Sequence, residues 1–183
     1  MKLVRWFERY AAHGDPRIAL ANLIALLIVS NQPFYPLYVY WIAGNAAWIT
    51  VVTFLSTPFF FAVPAAARCN AAAGRILLCI TGTANTVLCM KVLGEQTGVG
   101  LFLLPCILLG VLLFRPAQRL AIAFCAGLPM MAFLLLHGRL GPPLHPFSAQ
   151  QYTSLVTLHA VSVGALIAVI AFAFTTRIEA ARP

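Results

Sequence analysis

Ser30-Asn31-Gln32-Pro33-Phe34-Tyr35-Pro36-Leu37-Tyr38-Val39-Tyr40-Trp41 closes an apolar run that opens at Ile18. Two amides stand side by side in what has the length of a membrane span. Pro33 and Pro36 each remove a backbone donor and disturb the helix, so carbonyls are freed at depth. Polar groups at membrane depth are expensive and face a bundle interior or a cavity. The stretch therefore marks an inside, and the rest of the chain reads as built around it.

Composition points the same way. The 183 residues are 62% hydrophobic and 9% charged, against roughly 25% charged in a soluble domain, and mean hydropathy is +0.92. The apolar runs are long and continuous rather than alternating, which implies helices and not a β-barrel. The first run is too long for a cleaved signal peptide, and Asn31-Gln32 falls where an apolar h-region belongs.

Residues 1–16 come first. Leu3, Val4, Trp6, Phe7 and Tyr10 alternate at helical spacing with Lys2, Arg5, Glu8 and Arg9. That pattern predicts a short amphipathic helix in the membrane interface, its basic face toward anionic headgroups. Asp15-Pro16 reads as the N-cap and first residue of the next helix. Six spans follow, at about 17–41, 46–67, 75–94, 99–114, 117–137 and 150–175, each near the ~20 residues a bilayer requires. The expected fold is all-α: a polytopic six-helix bundle over residues 17–176, with residues 177–183 starting a cytoplasmic coupling segment. With no soluble domain after Arg177, the sequence reads either as a small complete membrane protein or, the favoured reading, as the membrane part of a longer chain.

Charge sets the orientation. With the N-terminus inside, ten cations fall on the cytoplasmic side and only Lys91 and Arg139 on the other, a strong positive-inside bias. Both termini are then cytoplasmic, and the net charge of +8 reflects topology rather than a nucleic-acid surface.

HGDP at 13–16, NQPFYPLY at 31–38, STPFF at 56–60, Asn85-Thr86, KVLGEQTGVGLFLLPC at 91–106 and GPPLHPFSAQQY at 141–152 resemble the six-span N-terminal membrane domain of certain bacterial class III adenylate cyclases and hybrid sensor histidine kinases. The layout is also similar to that of the membrane receptors of α-hydroxyketone quorum-sensing kinases. The resemblance covers nearly the whole chain. It implies a signal-receiving domain in the bacterial inner membrane, working as a homodimer and regulating a covalently linked cytoplasmic cyclase or kinase. No effector lies in these residues, so enzymatic activity does not carry over.

The residues offer an internal site of their own. At ~1.5 Å rise per residue, Asn31, Gln32, Thr53, Ser56, Thr57, Thr81, Asn85 and Thr86 reach similar depth in three consecutive spans. One reading is interhelical packing, since Ser, Thr and Asn commonly bridge membrane helices. The other is a site for a lipophilic small molecule, formed by Asn31, Gln32, Tyr35, Thr57, Asn85 and Thr86, with Lys91 and His159 nearer the outer side. Lys91 and Glu95, four apart, read as an interfacial pair or a lid on the outer mouth. An intramembrane histidine is a functional candidate, so His159 with His137 or His145 forms the alternative: axial ligands of haem b.

Other chemistry fails on inventory. The four acids, Glu8, Asp15, Glu95 and Glu179, include no pair at mid-membrane. There is no metalloprotease, phosphate-loop or nucleophile-elbow motif. A transporter is disfavoured by the lack of an internal repeat and of a midplane acid. The five cysteines lack CxxC spacing and read as small core residues.

Overall fold

A computed structural model describes residues 2–180, and among these every regular element is helical. Helix α1 (Lys2–Ala11) leads into α2 (Pro16–Asn31), a 3-10 turn (Gln32–Phe34) and α3 (Tyr35–Ala43). A long 3-10 helix (Gly44–Ser56) then runs into α4 (Thr57–Cys69), followed by α5 (Ala71–Leu93). Short 3-10 turns at Glu95–Thr97 and Val99–Phe102 precede α6 (Leu103–Leu112), α7 (Arg119–Leu136) and α8 (Ala149–Ala180). The side chains of Lys2, Leu3, Val4, Trp6 and Glu8, on which most of the amphipathic reading of α1 rests, lie outside the described residues, as does 181–183 of the coupling segment.

Among the described residues, four helical runs are long and apolar enough to cross a membrane: Pro16–Cys69, Ala71–Leu93, Arg119–Leu136 and Ala149–Arg177, with a shorter apolar helix at Val99–Leu112. The first of these folds back on itself. Gly44 takes φ +60°, a conformation favouring glycine. Beyond it the 3-10 helix returns along α3, and α4 along α2. Asp15 caps α2 as its sequence context predicts, accepting from the Arg17 N–H at 2.8 Å. Burial alone would raise the Asp15 pKa. The Arg17 and Ile18 N–H groups and the charge of Arg115, 3.3 Å away, outweigh it and hold the carboxyl below its ordinary value. A single residue, Asn70, turns α4 into α5, its Oδ1 accepting from Ala72 and Ala73 at 2.8 and 3.1 Å.

The segment expected at about 46–67 as an α-helical second span begins inside a thirteen-residue 3-10 helix, Gly44–Ser56, which takes its first eleven residues. Runs beyond three or four residues are uncommon for this winding. The physical reason lies in a three-residue repeat. Ala47, Thr50, Thr53 and Ser56 all fall on one buried face, while Trp48, Val51 and Leu55 face outward. Each hydroxyl donates to the carbonyl three residues back, Thr50 to Ala47 at 2.6 Å, Thr53 to Thr50 and Ser56 to Thr53 at 2.7 Å. These bonds reinforce three residues per turn. Small side chains on that face let the helix lie close to α3 and α5.

Two apolar clusters fill the interior. One joins α2, α4, α5, α6, α7 and α8 around Leu20, Ile24, Phe60, Leu78, Leu113 and Ile170. The other gathers α3, the long 3-10 helix, α5, α6 and α8 around Val39, Ile49, Leu93, Leu103, Phe147 and Leu155. Helix α6 is short, and two guanidinium groups close its C-terminal end: Arg17 donates to the Leu112 carbonyl and Arg75 to that of Leu113 at 2.8 Å.

Lys91 and Glu95 do not pair as the sequence pattern implies, because α5 stops at Leu93 and helical spacing ends between them. Each instead holds the outer loop. Lys91 Nζ donates to the carbonyls of Leu140 and Pro142 at 2.9 and 3.0 Å. The Glu95 carboxylate accepts from the Gly138 N–H at 3.0 Å and contacts His137 Nδ1.

Candidate functional site

A cavity of about 720 Å³ lies between the two clusters, walled by α2–α3 on one side, α8 on the other, and α5 and α6 behind. Asn31 and Phe34 of the first run and Val161 of α8 are among its lining residues. All three are exposed on the outer surface of the bundle. The break at Pro33 makes this geometry. Without a donor there, α2 passes through one 3-10 turn before α3 resumes. That turn sends the two neighbouring amides in different directions.

Gln32 points inward, 7% exposed. Its Nε2 donates to the Thr53 carbonyl at 3.1 Å and to Ser56 Oγ at 2.8 Å, and Thr57 Oγ1 donates to its Oε1 at 2.6 Å. One side chain thus stitches the first leg of the hairpin to the second. Asn31 is exposed on the cavity wall, and its carboxamide makes no hydrogen bond within the described residues. Packing glue and cavity lining, two readings of one amide pair, are divided between them.

Loss of the Gln32 bonds is measurable. Gln32→Leu leaves the Thr57 hydroxyl without its acceptor and removes two interhelical bonds, so it should lower unfolding free energy by about 1–2 kcal/mol. Asn31→Leu should change it by less than about 0.5 kcal/mol, as for a side chain outside any network. Denaturant titration of both variants in mixed micelles checks the contrast.

Asn85 and Thr86 line the back wall on α5. Thr86 is satisfied locally, donating to the Gly82 carbonyl at 2.9 Å. Asn85 Oδ1 is sealed from solvent and finds no hydrogen-bond partner, a rare condition for a buried polar atom. Tyr35 lines the cavity from α3, and its hydroxyl lies 2.9 Å from His159 Nε2. His159 is fully buried, with Nδ1 2.7 Å from the Thr97 carbonyl. A carbonyl only accepts, so Nδ1 carries the hydrogen and Nε2 accepts from Tyr35. His159 therefore stands behind the wall, tying α8 to the outer turn and to the cavity-lining Tyr35. Thr57 and Lys91 stand outside the cavity, the first bonded to Gln32 and the second to the outer loop.

The three histidines considered as haem ligands are held by separate partners. His159 is taken by Tyr35 and Thr97, His137 by Glu95 and the stacked Phe133 ring, and His145 packs edge-on to Phe147. Among the described residues no group of three or more His, Cys, Asp or Glu side chains is placed to hold a metal ion.

Most of the wall was not anticipated from the sequence. Phe102 of the 3-10 turn, Cys106 of α6, and Leu158 and Ser162 of α8 line it, and apolar residues carry no signal that separates a cavity from a core. Gly82 and Ser162, a small and a polar residue in runs of bulky ones, were the available hints.

No curated protein and no solved structure matches this chain. The MASE7 family model matches residues 7–182. That match covers almost the whole chain, and the chain belongs to the MASE7 family of membrane-associated sensor domains.

Proposed function

We propose that this domain receives a lipophilic small molecule in the cavity between α2–α3 and α8, and passes the signal along α8 to a cytoplasmic class III cyclase or histidine kinase. The observation that carries the reading is the cavity of about 720 Å³, open on the apolar outer surface and walled by the helix that leads out past Arg177. Ligand pockets occupy roughly 300–1,000 Å³ and are mainly apolar with a few placed polar groups. Asn31 and Asn85 are the contacting amides, Tyr35 and Thr86 complete the wall, and Gln32 with Thr57 fixes the hairpin that frames it. His159 positions Tyr35, and Lys91 steadies the outer loop. In the bacterial inner membrane the hairpin supplies two crossings, and α5, the Val99–Leu112 segment, α7 and α8 supply four more. Both termini are then cytoplasmic, as the ten-to-two distribution of cations favours. The domain works as a homodimer, because the effectors it resembles partners of are dimeric.

The test is a chimera carrying a class III cyclase catalytic domain after Pro183, assayed in membranes with and without an organic extract of the producing cells. The extract should change cyclase output. Ala165→Trp, which places an indole in the cavity from α8, should abolish the change while leaving basal output. An unchanged output in the parent chimera, with extract at any concentration, overturns the reading.

A further inference from the structure

The reading of the cavity as a receiving site leaves open how α8 registers what fills it, and the surroundings of His159 supply a route. His159 is fully buried and is not among the residues that line the cavity. Two rings that do line it touch His159. Tyr35 of α3 donates its hydroxyl proton to Nε2 at 2.9 Å, and the Phe102 ring meets the imidazole edge-on, 6.0 Å between centroids. His159 is thus one ring removed from the cavity.

The other ring nitrogen is held from the opposite direction. Nδ1 donates to the Thr97 carbonyl at 2.7 Å, and the Thr97 hydroxyl is itself fixed on the Gly94 carbonyl at 2.7 Å. Three residues earlier on α8, Val156 lies against Gly98. A Cβ at Gly98 would stand 3.3 Å from Val156 Cγ2 and 3.4 Å from its Cα, at a residue whose φ is +74°. A directional bond and a close backbone approach therefore pin α8 to the 94–98 turn. Toward Arg177 the contacts change character. Ile170 and Ala173 pack in the apolar cluster around Leu20, and Phe174 lies under the Arg17 guanidinium. A hydrogen bond fixes distance and angle, whereas apolar contact is non-directional. One end of α8 is set and the other has freedom to shift.

Tyr35 is placed to act on the set end. It opens α3 directly after the 3-10 turn, is partly exposed, and borders a void of about 720 Å³. With that void empty, the ring has room to turn off His159 for the loss of one buried hydrogen bond. With it filled, the room is gone, and an occupant that excludes one of two arrangements shifts the population to the other.

We propose that His159 is the positioning residue through which the cavity sets α8: filling the cavity confines Tyr35 to its bond with Nε2, and the Tyr35–His159–Thr97 chain then locks α3, α8 and the 94–98 turn together. In the empty cavity Tyr35 leaves Nε2 part of the time, and α8 is tied to the turn alone.

The experiment labels the domain with 15N-histidine in nanodiscs and follows the His159 Nε2 resonance, assigned by its loss in His159→Gln. Its shift reports whether that nitrogen accepts a hydrogen bond. Tyr35→Phe keeps the ring and removes only the hydroxyl, so it supplies the unbonded reference. In the wild-type chain the organic extract should move Nε2 further from the Tyr35→Phe position, and in Tyr35→Phe the resonance should stay still. In the cyclase chimera the extract should no longer change the output of Tyr35→Phe, while His159→Gln, which offers Tyr35 an acceptor near the Nε2 position, should keep part of the response. A bond that is only structural would lower the stability of Tyr35→Phe and leave its response whole, which overturns the proposal. Movement of Nε2 toward the Tyr35→Phe position also overturns it, as does an unmoved Nε2 under an extract that changes the output of the parent chimera; the cavity reading stands in each of these cases. An extract that changes neither the resonance nor the output overturns the cavity reading and the proposal with it.

Discussion

Gly110→Ala should separate α6 from α7 and remove about 3 kcal/mol of stability, the upper end of what overpacking a tight contact does. A Cβ at Gly110 would stand 2.5 Å from the Ala126 nitrogen, 2.6 Å from the Cys125 carbonyl carbon and 2.7 Å from its oxygen. All three are backbone atoms of α7, so no side-chain rotation relieves the clash. The helices must move apart along their whole contact. Dispersion falls steeply with small separations, and a shift of 0.5–1 Å forfeits a quarter to a half of each atom pair's attraction. In a membrane, that close packing of small residues is the main force holding helices together. Gly127→Ala is the control. It adds the same methyl group to α7, meets nothing within 4 Å, and should leave stability unchanged or raise it by up to about 1 kcal/mol through helix propensity. Reversible unfolding of the two variants in mixed micelles gives the comparison directly. Equal stabilities would show that α6 and α7 do not touch at Gly110.

Arg75→Leu should be comparably damaging, lowering stability by about 3 kcal/mol. Its side chain is 5% exposed. Nε bonds the Ala71 carbonyl at 2.9 Å, Nη1 bonds that of Leu113 at 2.8 Å, and the guanidinium lies 4.8 Å from the Phe114 ring centroid. The last carbonyls of a helix have no partner within it, and α6 ends among buried side chains rather than in water. Leucine fills the volume and offers no donor, so the Leu113 carbonyl is left unsatisfied at low dielectric. Arg75→Lys should restore part of the loss, because an ammonium reaches one carbonyl but lacks the planar fork and the stacking on Phe114. Thermal unfolding should therefore rank wild type above lysine above leucine. A leucine variant as stable as wild type would mean that Arg17 alone closes the end of α6.

The helical class and most boundaries were legible because burial in lipid demands long apolar runs and caps announce their ends. Asp15 before Pro16 and the glycines at 44 and 98 carried that information. Residues 46–56, read as the start of an α-helical second span, are wound as a 3-10 helix. Apolar content is blind to winding, and the deciding signal was the three-residue spacing of Ala47, Thr50, Thr53 and Ser56. At the candidate site, sequence placed polar residues at a common depth but not in azimuth. Adjacent amides looked equivalent until the 3-10 turn at Gln32–Phe34 directed one inward and left the other exposed. His159 was recognisable as unusual, yet its partners Tyr35 and Thr97 lie 124 and 62 residues away, a separation no local pattern encodes.

The tightly wound segment also settles a matter of reach. The first leg of the hairpin, Pro16–Ala43, and the second, Gly44–Cys69, differ by two residues in favour of the first. At ~1.5 Å per α-helical residue and ~2.0 Å per 3-10 residue, the first leg extends about 44 Å and the second about 46 Å. Wound throughout as α-helix, the second would reach only about 39 Å. The hydroxyl ladder at Thr50, Thr53 and Ser56 therefore stretches a shorter strand of chain to match a longer one. Contour, not residue count, sets which residues of the two legs face each other. Thr53 stands about 20 Å along the second leg from the turn, level with Gln32 at about 20 Å along the first, and the Gln32 amide donates to the Thr53 carbonyl.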